Sequence, residues 1–355
     1  MKNSKSSKRP RSKLQRNLKA PISKYARKLF DVWIFSGSRQ GGIGIWSFRL
    51  LTSAATGRRK KLGLDGVSPR RYASVPTTMQ IQSGQTVLLT GASGGLGMFM
   101  ARALAKTGAS LALTAFPGTA LDEVRAESEK LGVKSRVYAL DLRVPAQRSE
   151  LIAEVRQEFG PIDILVNNAG VEFTAAYNDL TVENISETIA VNLEAPMVLS
   201  RLVLPEMLSR KRGHIVNISS LAGKSGPAFQ EPYAATKAGL IGFTSSLRAT
   251  YRGSGVSASA VVPGFVEAGI YAHLKERSGL AAPALLGTSP PEKVAQAVIK
   301  VIEKDLPEII INPLPVRPLL AFIALFPKVG EWVSDKTGAN DFFRKVVEKQ
   351  KLGKG

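Results

Sequence analysis

Residues 90–97 read Thr-Gly-Ala-Ser-Gly-Gly-Leu-Gly (TGASGGLG), and what stands on either side of them decides the fold. Before them, residues 85–90 (QTVLLT) form a short apolar run of the kind that makes a fully buried first strand. After them, from about Gly97, MFMARALAKTG carries apolar residues at helical spacing. Gly91, Gly95 and Gly97 therefore stand where a strand must turn sharply into a helix. Glycine permits a positive φ and close backbone approach, and a helix N-terminus adds free N–H groups and a partial positive charge. Such a turn suits a dinucleotide pyrophosphate, although glycines also serve ordinary strand-to-helix turns.

The alternation continues outward. LALT from Leu111, RVYAL from Arg136, DILVNN from Asp163, HIVNIS from His214, VSASAVV from Val256 and EIIIN from Glu308 read as six further strands. Helical patterns such as AQRSELIAEVRQEFG and EKVAQAVIKVIEK lie between most of them. Seven strands with intervening helices predict an α/β fold, a doubly wound parallel sheet of Rossmann-like type. One domain accounts for residues 79–312, with a basic extension at 1–78 and an amphipathic or apolar extension at 313–355.

Composition excludes several chemistries. The 355 residues contain no cysteine and two histidines, His214 and His273. Disulfides, thiolate catalysis and Cys-ligated metals are ruled out, and no metal site is expected. The net charge of +21 is unevenly placed, because residues 1–78 hold 19 basic residues against Asp31 and Asp65. That stretch is too polar to offset its chain entropy and is expected to be mostly disordered. One short amphipathic helix is conceivable at ISKYARKLFDVWIF, around residues 25–35. Few aromatics interleave with the basic residues, so sequence-specific nucleic-acid binding is not expected. Adhesion to an anionic membrane surface and an organelle transit peptide both stay open beside a cytoplasmic location. Met79 stands about a dozen residues before the glycine turn, so residues 1–78 are expected to be dispensable for catalysis.

The remaining polar residues are spaced for chemistry. Asp141 and Leu142 follow the third strand, NNAG at 167–170 ends the fourth, and Asn192 lies in VNLEAP. Ser220 stands thirteen residues before Tyr233, and Lys237 follows four residues after that tyrosine. Positions i and i+4 share a helix face, and an ammonium beside a phenol would lower its pKa from about 10 toward neutrality. That supplies an acid or base without histidine.

In this order and combination, TGASGGLG, Asp141, NNAG, Asn192, Ser220, Tyr233 and Lys237 strongly resemble the short-chain dehydrogenase/reductase family, over about residues 79–312. The resemblance implies an NAD(P)-dependent oxidoreductase interconverting an alcohol and a ketone. It implies that Tyr233 exchanges a proton with the substrate oxygen, Lys237 holds the nicotinamide ribose and tunes Tyr233, Ser220 orients the carbonyl, and Asn192 places a water in a proton relay. The implied cofactor contacts are Gly91, Ser93, Gly95, Leu96, Gly97, Asp141, Leu142, Asn168, Ala169, Gly170, Tyr233, Lys237, Pro263 and Gly264. A homodimer or homotetramer is expected.

The chain departs from the pattern in two places. Ala268 stands where the family often has a threonine facing the nicotinamide amide. Residues 114–117 (TAFP), after the second strand, hold neither the acid that would mark NAD nor the arginine that would mark NADP, and Gly94 is equally neutral, so the preference stays open. Phe116 is a candidate to stack on adenine. Beyond Pro263, an apolar, irregular stretch with Ile270, Tyr271, Leu274, Leu280, Leu285 and Leu286 reads as a lid over a hydrophobic substrate. Steroid, retinoid and long-chain carbonyls are the preferred substrates, with a 3-oxoacyl thioester as the alternative and a non-catalytic NAD(P)-binding scaffold as a less favoured reading. Residues 318–327 are mostly apolar but half the ~20 residues needed to span a bilayer. They fit a leaflet, the substrate entrance or a dimer contact equally.

Overall fold

A computed structural model describes residues 78–118 and 121–352. The expected disorder of the basic extension, its short helix and its part in membrane adhesion lie outside these residues. The described chain runs β1 (Thr86–Leu89), α1 (Gly95–Ala105), β2 (Ser110–Ala115), α2 (Leu121–Glu129), β3 (Ser135–Ala139), α3 (Pro145–Phe159) and β4 (Ile162–Asn167). It continues through α4 (Val182–Ile189), a π-helical turn (Ala190–Glu194), α5 (Ala195–Ser209), β5 (Gly213–Ile218), α6 (Glu231–Thr250) and β6 (Val256–Pro263). Then come α7 (Gly269–Ser278), α8 (Pro291–Glu303), β7 (Glu308–Ile311), α9 (Arg317–Leu325), α10 (Pro327–Lys336) and α11 (Ala339–Leu352).

The seven strands pair in parallel in the order β3-β2-β1-β4-β5-β6-β7. Each is where an apolar run was read, displaced by no more than a residue or two. Side chains alternate across the sheet, so Val87 and Leu89 join α1 and α8 on one face while Leu88 joins α3 and α5 on the other. Met100, Leu104, Val294 and Val298 fill the first layer, and Leu151, Val155, Leu199 and Val203 fill the second. Burial on both faces explains why the central strands β1 and β4 are largely apolar runs without alternation, whereas the edge strands β3 and β7 are only partly buried. Where the β1–β4 register shifts at Thr86, its N–H donates to the Asp163 carboxylate (3.0 Å), which Arg210 also holds (2.6 Å).

Because β1 pairs with β2 on one side and β4 on the other, the chain reverses its direction of winding there, and a crevice opens at the strand carboxyl ends. The C-terminal stretch read as one apolar segment is broken. A helix ends at Leu325 and a second begins at Pro327, with Phe326 (φ −129°, ψ 76°) at the corner. Proline cannot donate an amide hydrogen bond to the preceding helical turn, which favours the break. Part of the expected irregular lid is also ordered, since 269–278 form α7. Among the described residues, one helical run is long and apolar enough to cross a membrane, Val182–Ser209, and half of its most apolar window is buried inside the protein.

His214 lies fully buried in β5, its Nε2 2.8 Å from Ser259 Oγ. Burial pulls its pKa down to about 4, against the attraction of Asp305. The imidazole is therefore neutral when folded, whereas an unfolded histidine protonates near 6.5. Its contribution is complete above pH 6.5 and is lost as pH falls toward about 4, by roughly 3 kcal/mol. Urea unfolding from pH 7.5 to 4.5 should show that loss in the wild type and a shallower one in His214→Asn. Equal slopes would contradict the neutral-histidine assignment.

Candidate active site

The glycine turn is shaped by what it nearly touches. Gly91 adopts φ +69°, and a Cβ there would lie 2.7 Å from Ala169 Cα. A Cβ on Gly97 would lie 2.2 Å from Gly91 O, so α1 can start only against bare backbone. Thr90 ties the turn to the loop after β4. Its Oγ1 accepts from the N–H groups of Asn168 (3.0 Å) and Ala169 (3.1 Å), and Asn168 Nδ2 donates to Thr90 O and Gly91 O, both at 3.0 Å. The NNAG segment is thereby fixed beside the turn. A Cβ on Gly95 would meet Gly269 N at 2.3 Å, so the start of α7 closes over the turn from the far side.

From this turn a cleft of about 580 Å³ runs along the sheet's carboxyl edge. Its lining brings together Gly91, Ser93, Gly95, Leu96, Asp141, Leu142, Asn168, Ala169, Gly170, Ser220, Tyr233, Lys237, Pro263 and Gly264. Gly97 and Asn192 are absent from the wall and stand behind it. The bare backbone of the turn and a helix N-terminus at one end fit a pyrophosphate, so the residues present fit a dinucleotide. Ala268 is buried and also lines the cleft, offering only a methyl where a hydroxyl was expected.

Tyr233 and Lys237 share one face of α6, and β5 delivers Ser220 opposite them. The short turn Leu221–Gly223 presses against α6, where a Cβ on Gly223 would lie 2.6 Å from the Lys237 carbonyl carbon. Ser219 Oγ donates to Lys237 O (2.8 Å), which locks the same junction. The Ser220 hydroxyl hydrogen-bonds with Tyr233 and also accepts from Ala222 N (3.1 Å). Lys237 is buried, donates to Ile218 O (3.0 Å) and lies over the Tyr233 ring, 5.5 Å from its centroid. Its remaining N–H donors suit ribose hydroxyls.

The electrostatics differ from the spacing argument. Burial pushes the Tyr233 phenol up to about 12; the Ser220 hydrogen bond opposes this and the Glu172 charge adds to it. Burial likewise pulls Lys237 down to about 8. The ammonium sits over the ring and is bonded to a carbonyl, so desolvation outweighs the attraction that i,i+4 spacing suggested. A phenol with this pKa is protonated at neutral pH, which suits giving a proton to a carbonyl oxygen.

Asn192 sits fully buried in the π-helical turn, a feature frequent at functional sites. Its Oδ1 accepts from Val171 N and its Nδ2 donates to Val171 O, both at 2.8 Å. A Cβ on Gly170 would lie 3.3 Å from Asn192 Oδ1 and 3.4 Å from Lys237 Nζ, so both side chains converge on one backbone position.

Two features were not foreseen from the sequence, and a third was only one of several readings. Arg143 grips both oxygens of Asp141 (2.7–3.0 Å) and lies over Phe116, 5.2 Å from its centroid. It holds the Asp141 carboxyl below its usual range and brings a cation to the adenosine end of the cleft. Gln230 donates to Glu172 (3.0 Å), whose carboxyl burial pushes up in pKa, and Thr174 also bonds it. The C-terminal helices line the cleft through Val316, Leu320, Ile323, Val333 and Phe343. The substrate entrance was one of three readings of this apolar segment, and its inner face does line the cleft.

The profile of the short chain dehydrogenase family matches residues 85–279. The chain is 40% identical over 247 residues to the ketoacyl reductase HetN of Nostoc sp., covering 70% of this chain and 85% of that protein. It is 35% identical over 218 residues to the 3-oxoacyl-[acyl-carrier-protein] reductase FabG of Escherichia coli, covering 61% and 88%. A metagenomic short-chain oxidoreductase solved with NADP superposes with a TM-score of 0.55 at 32% identity, covering 66% of this chain and 99% of that one. An actinorhodin polyketide ketoreductase variant solved with NADPH superposes with a TM-score of 0.61 at 29% identity, covering 66% and 97%.

The glycine turn generates a direct test. Gly95→Ala should raise the NADPH dissociation constant by at least about tenfold in a fluorescence titration, since a methyl there displaces α7 or the ligand. Unchanged affinity would show that the dinucleotide does not approach this turn. Fold, cleft and similarity agree, and the chain belongs to the short-chain dehydrogenase family as an NAD(P)-dependent oxidoreductase.

Proposed function

We propose that the enzyme works as a reductase of 3-oxoacyl thioesters with an apolar acyl chain, and that Tyr233, Ser220 and Lys237 form its reaction centre. The observation that carries this reading is the continuity of the cleft. The wall holding Ser220 and Tyr233 runs into an apolar arm formed by Phe265, Leu286, Leu320, Ile323 and Phe343. A 3-oxo group placed at Tyr233 would send its acyl tail into that arm. The named activities of HetN and FabG favour a ketoacyl substrate over a steroid or retinoid.

The nicotinamide, when bound, supplies the hydride that goes to the carbonyl carbon. Ser220 donates a hydrogen bond that orients the carbonyl oxygen. The Tyr233 O–H, protonated at neutral pH, gives its proton to that oxygen as the carbonyl becomes a hydroxyl, and the resulting phenolate regains a proton from solvent. Lys237 secures the cofactor ribose and sits close enough to steady the transient phenolate. Asn192 holds the Val171 backbone and so sets the position of the loop opposite α6.

Two outcomes follow for steady-state kinetics with NADPH and a panel of 3-oxoacyl thioesters. Tyr233→Phe should lose at least about 100-fold in kcat/KM while still binding NADPH. In the wild type, kcat/KM should rise up to about fourfold per added methylene until the arm is full, at ~0.8 kcal/mol for each buried CH2. Dependence on chain length that is flat, or preference for a steroid ketone, would contradict the acyl assignment. Undiminished turnover by Tyr233→Phe would contradict its role as proton donor.

A further inference from the structure

Helix α9 has two apolar faces. Leu320 and Ile323 line the cleft. Phe322, Leu325 and Phe326 do not, and they are 49%, 75% and 51% exposed. The three stand at i, i+3 and i+4, and the Phe322 and Phe326 rings meet with centroids 4.9 Å apart, so they form one continuous patch. Trp332 on α10 and Leu314 before α9 add exposed apolar surface in the same C-terminal segment, 60% and 51% exposed. A soluble surface rarely leaves so many large apolar side chains together without use.

Charge indicates the occupant. No charged residue stands between Arg317 and Lys328, so the patch is uncharged with a cation at each end in sequence. Residues 313–352 carry seven basic against four acidic residues, and residues 1–78 carry 19 against two. A two-fold pairing with a second copy would set these cationic ends against each other, whereas anionic headgroups would meet both. At nine residues α9 is too short to cross a bilayer but long enough to lie in its interface with one face down.

We propose that the outer face of α9 and the Phe326 corner dock the enzyme on an anionic lipid bilayer, with the inner face of the same helix forming the cleft wall. This inference does not depend on which carbonyl is reduced, because it rests on the outer face of α9 and the cationic residues around it.

The test is flotation of the full chain with phosphatidylcholine vesicles containing about 30% phosphatidylglycerol. The wild type should float, and the triple variant Phe322→Ser, Leu325→Ser, Phe326→Ser should partition at least about tenfold less while binding NADPH unchanged. Should the triple variant fail to fold, Phe326→Trp in a chain with Trp33, Trp46 and Trp332 replaced by Phe gives a second reading. Its fluorescence should be quenched by bromine-labelled lipid tails in the same vesicles. Flotation unchanged in a folded triple variant, or a Phe326→Trp reporter that is not quenched, would overturn the proposal. A triple variant that still floats but converts oligomers to monomers in ultracentrifugation would also overturn it, by assigning the face to a second copy.

Discussion

The approach of the glycine turn to the loop after β4 is the constraint on which the rest of the site depends. Gly91 and Ala169 stand so close that no side chain fits between them, and Thr90 stitches the two backbones with its hydroxyl and carbonyl. This contact joins β1 to β4, where the sheet reverses its winding, and so fixes where the crevice opens. The loop after β4 then places Gly170 against Asn192 and Lys237. One backbone contact thus sets the distance between the dinucleotide end of the cleft and the reacting end.

The second consequence is electrostatic. Packing that brings β5's turn onto α6 also buries Tyr233 and Lys237, and burial moves their proton affinities in opposite directions. The phenol becomes a weaker acid and the ammonium a stronger one. The phenol therefore stays protonated at neutral pH, the form that can give a proton to a carbonyl oxygen. The lining of the cleft continues from these two residues into apolar side chains such as Phe265, Leu320 and Phe343.

Much of this was legible because buried parallel strands and glycine turns are local statements. Residues 85–90 could be read as a strand and the helix as starting near Gly97, two residues after its actual start at Gly95, without knowing what they touch. The set Ser220, Tyr233 and Lys237 was legible through its resemblance to a known family, since the Tyr/Lys spacing alone is a common pattern. What stayed hidden depends on contacts between distant segments. Arg143 pairs with Asp141 in the turn after β3, outside any strand or helix whose periodicity would announce it, and reaches Phe116 just past the end of β2. The i,i+4 spacing reports that Lys237 stands near Tyr233 but not that both side chains are buried, which raises the phenol's pKa. Residues 318–327 gave an apolar pattern with three readings, and only the fold divides it into a cleft face and an outer face.

The most direct measurement is mass spectrometry of the product formed from a 3-oxoacyl thioester and NADPH deuterated on the transferred face of C4. The account predicts a 3-hydroxyacyl product carrying one deuterium on the carbinol carbon, formed by the wild type and not detectably by Tyr233→Phe over the same turnover time. NADPH consumed without deuterium in the product, or equal labelling by both proteins, would contradict hydride transfer to a carbonyl protonated by Tyr233.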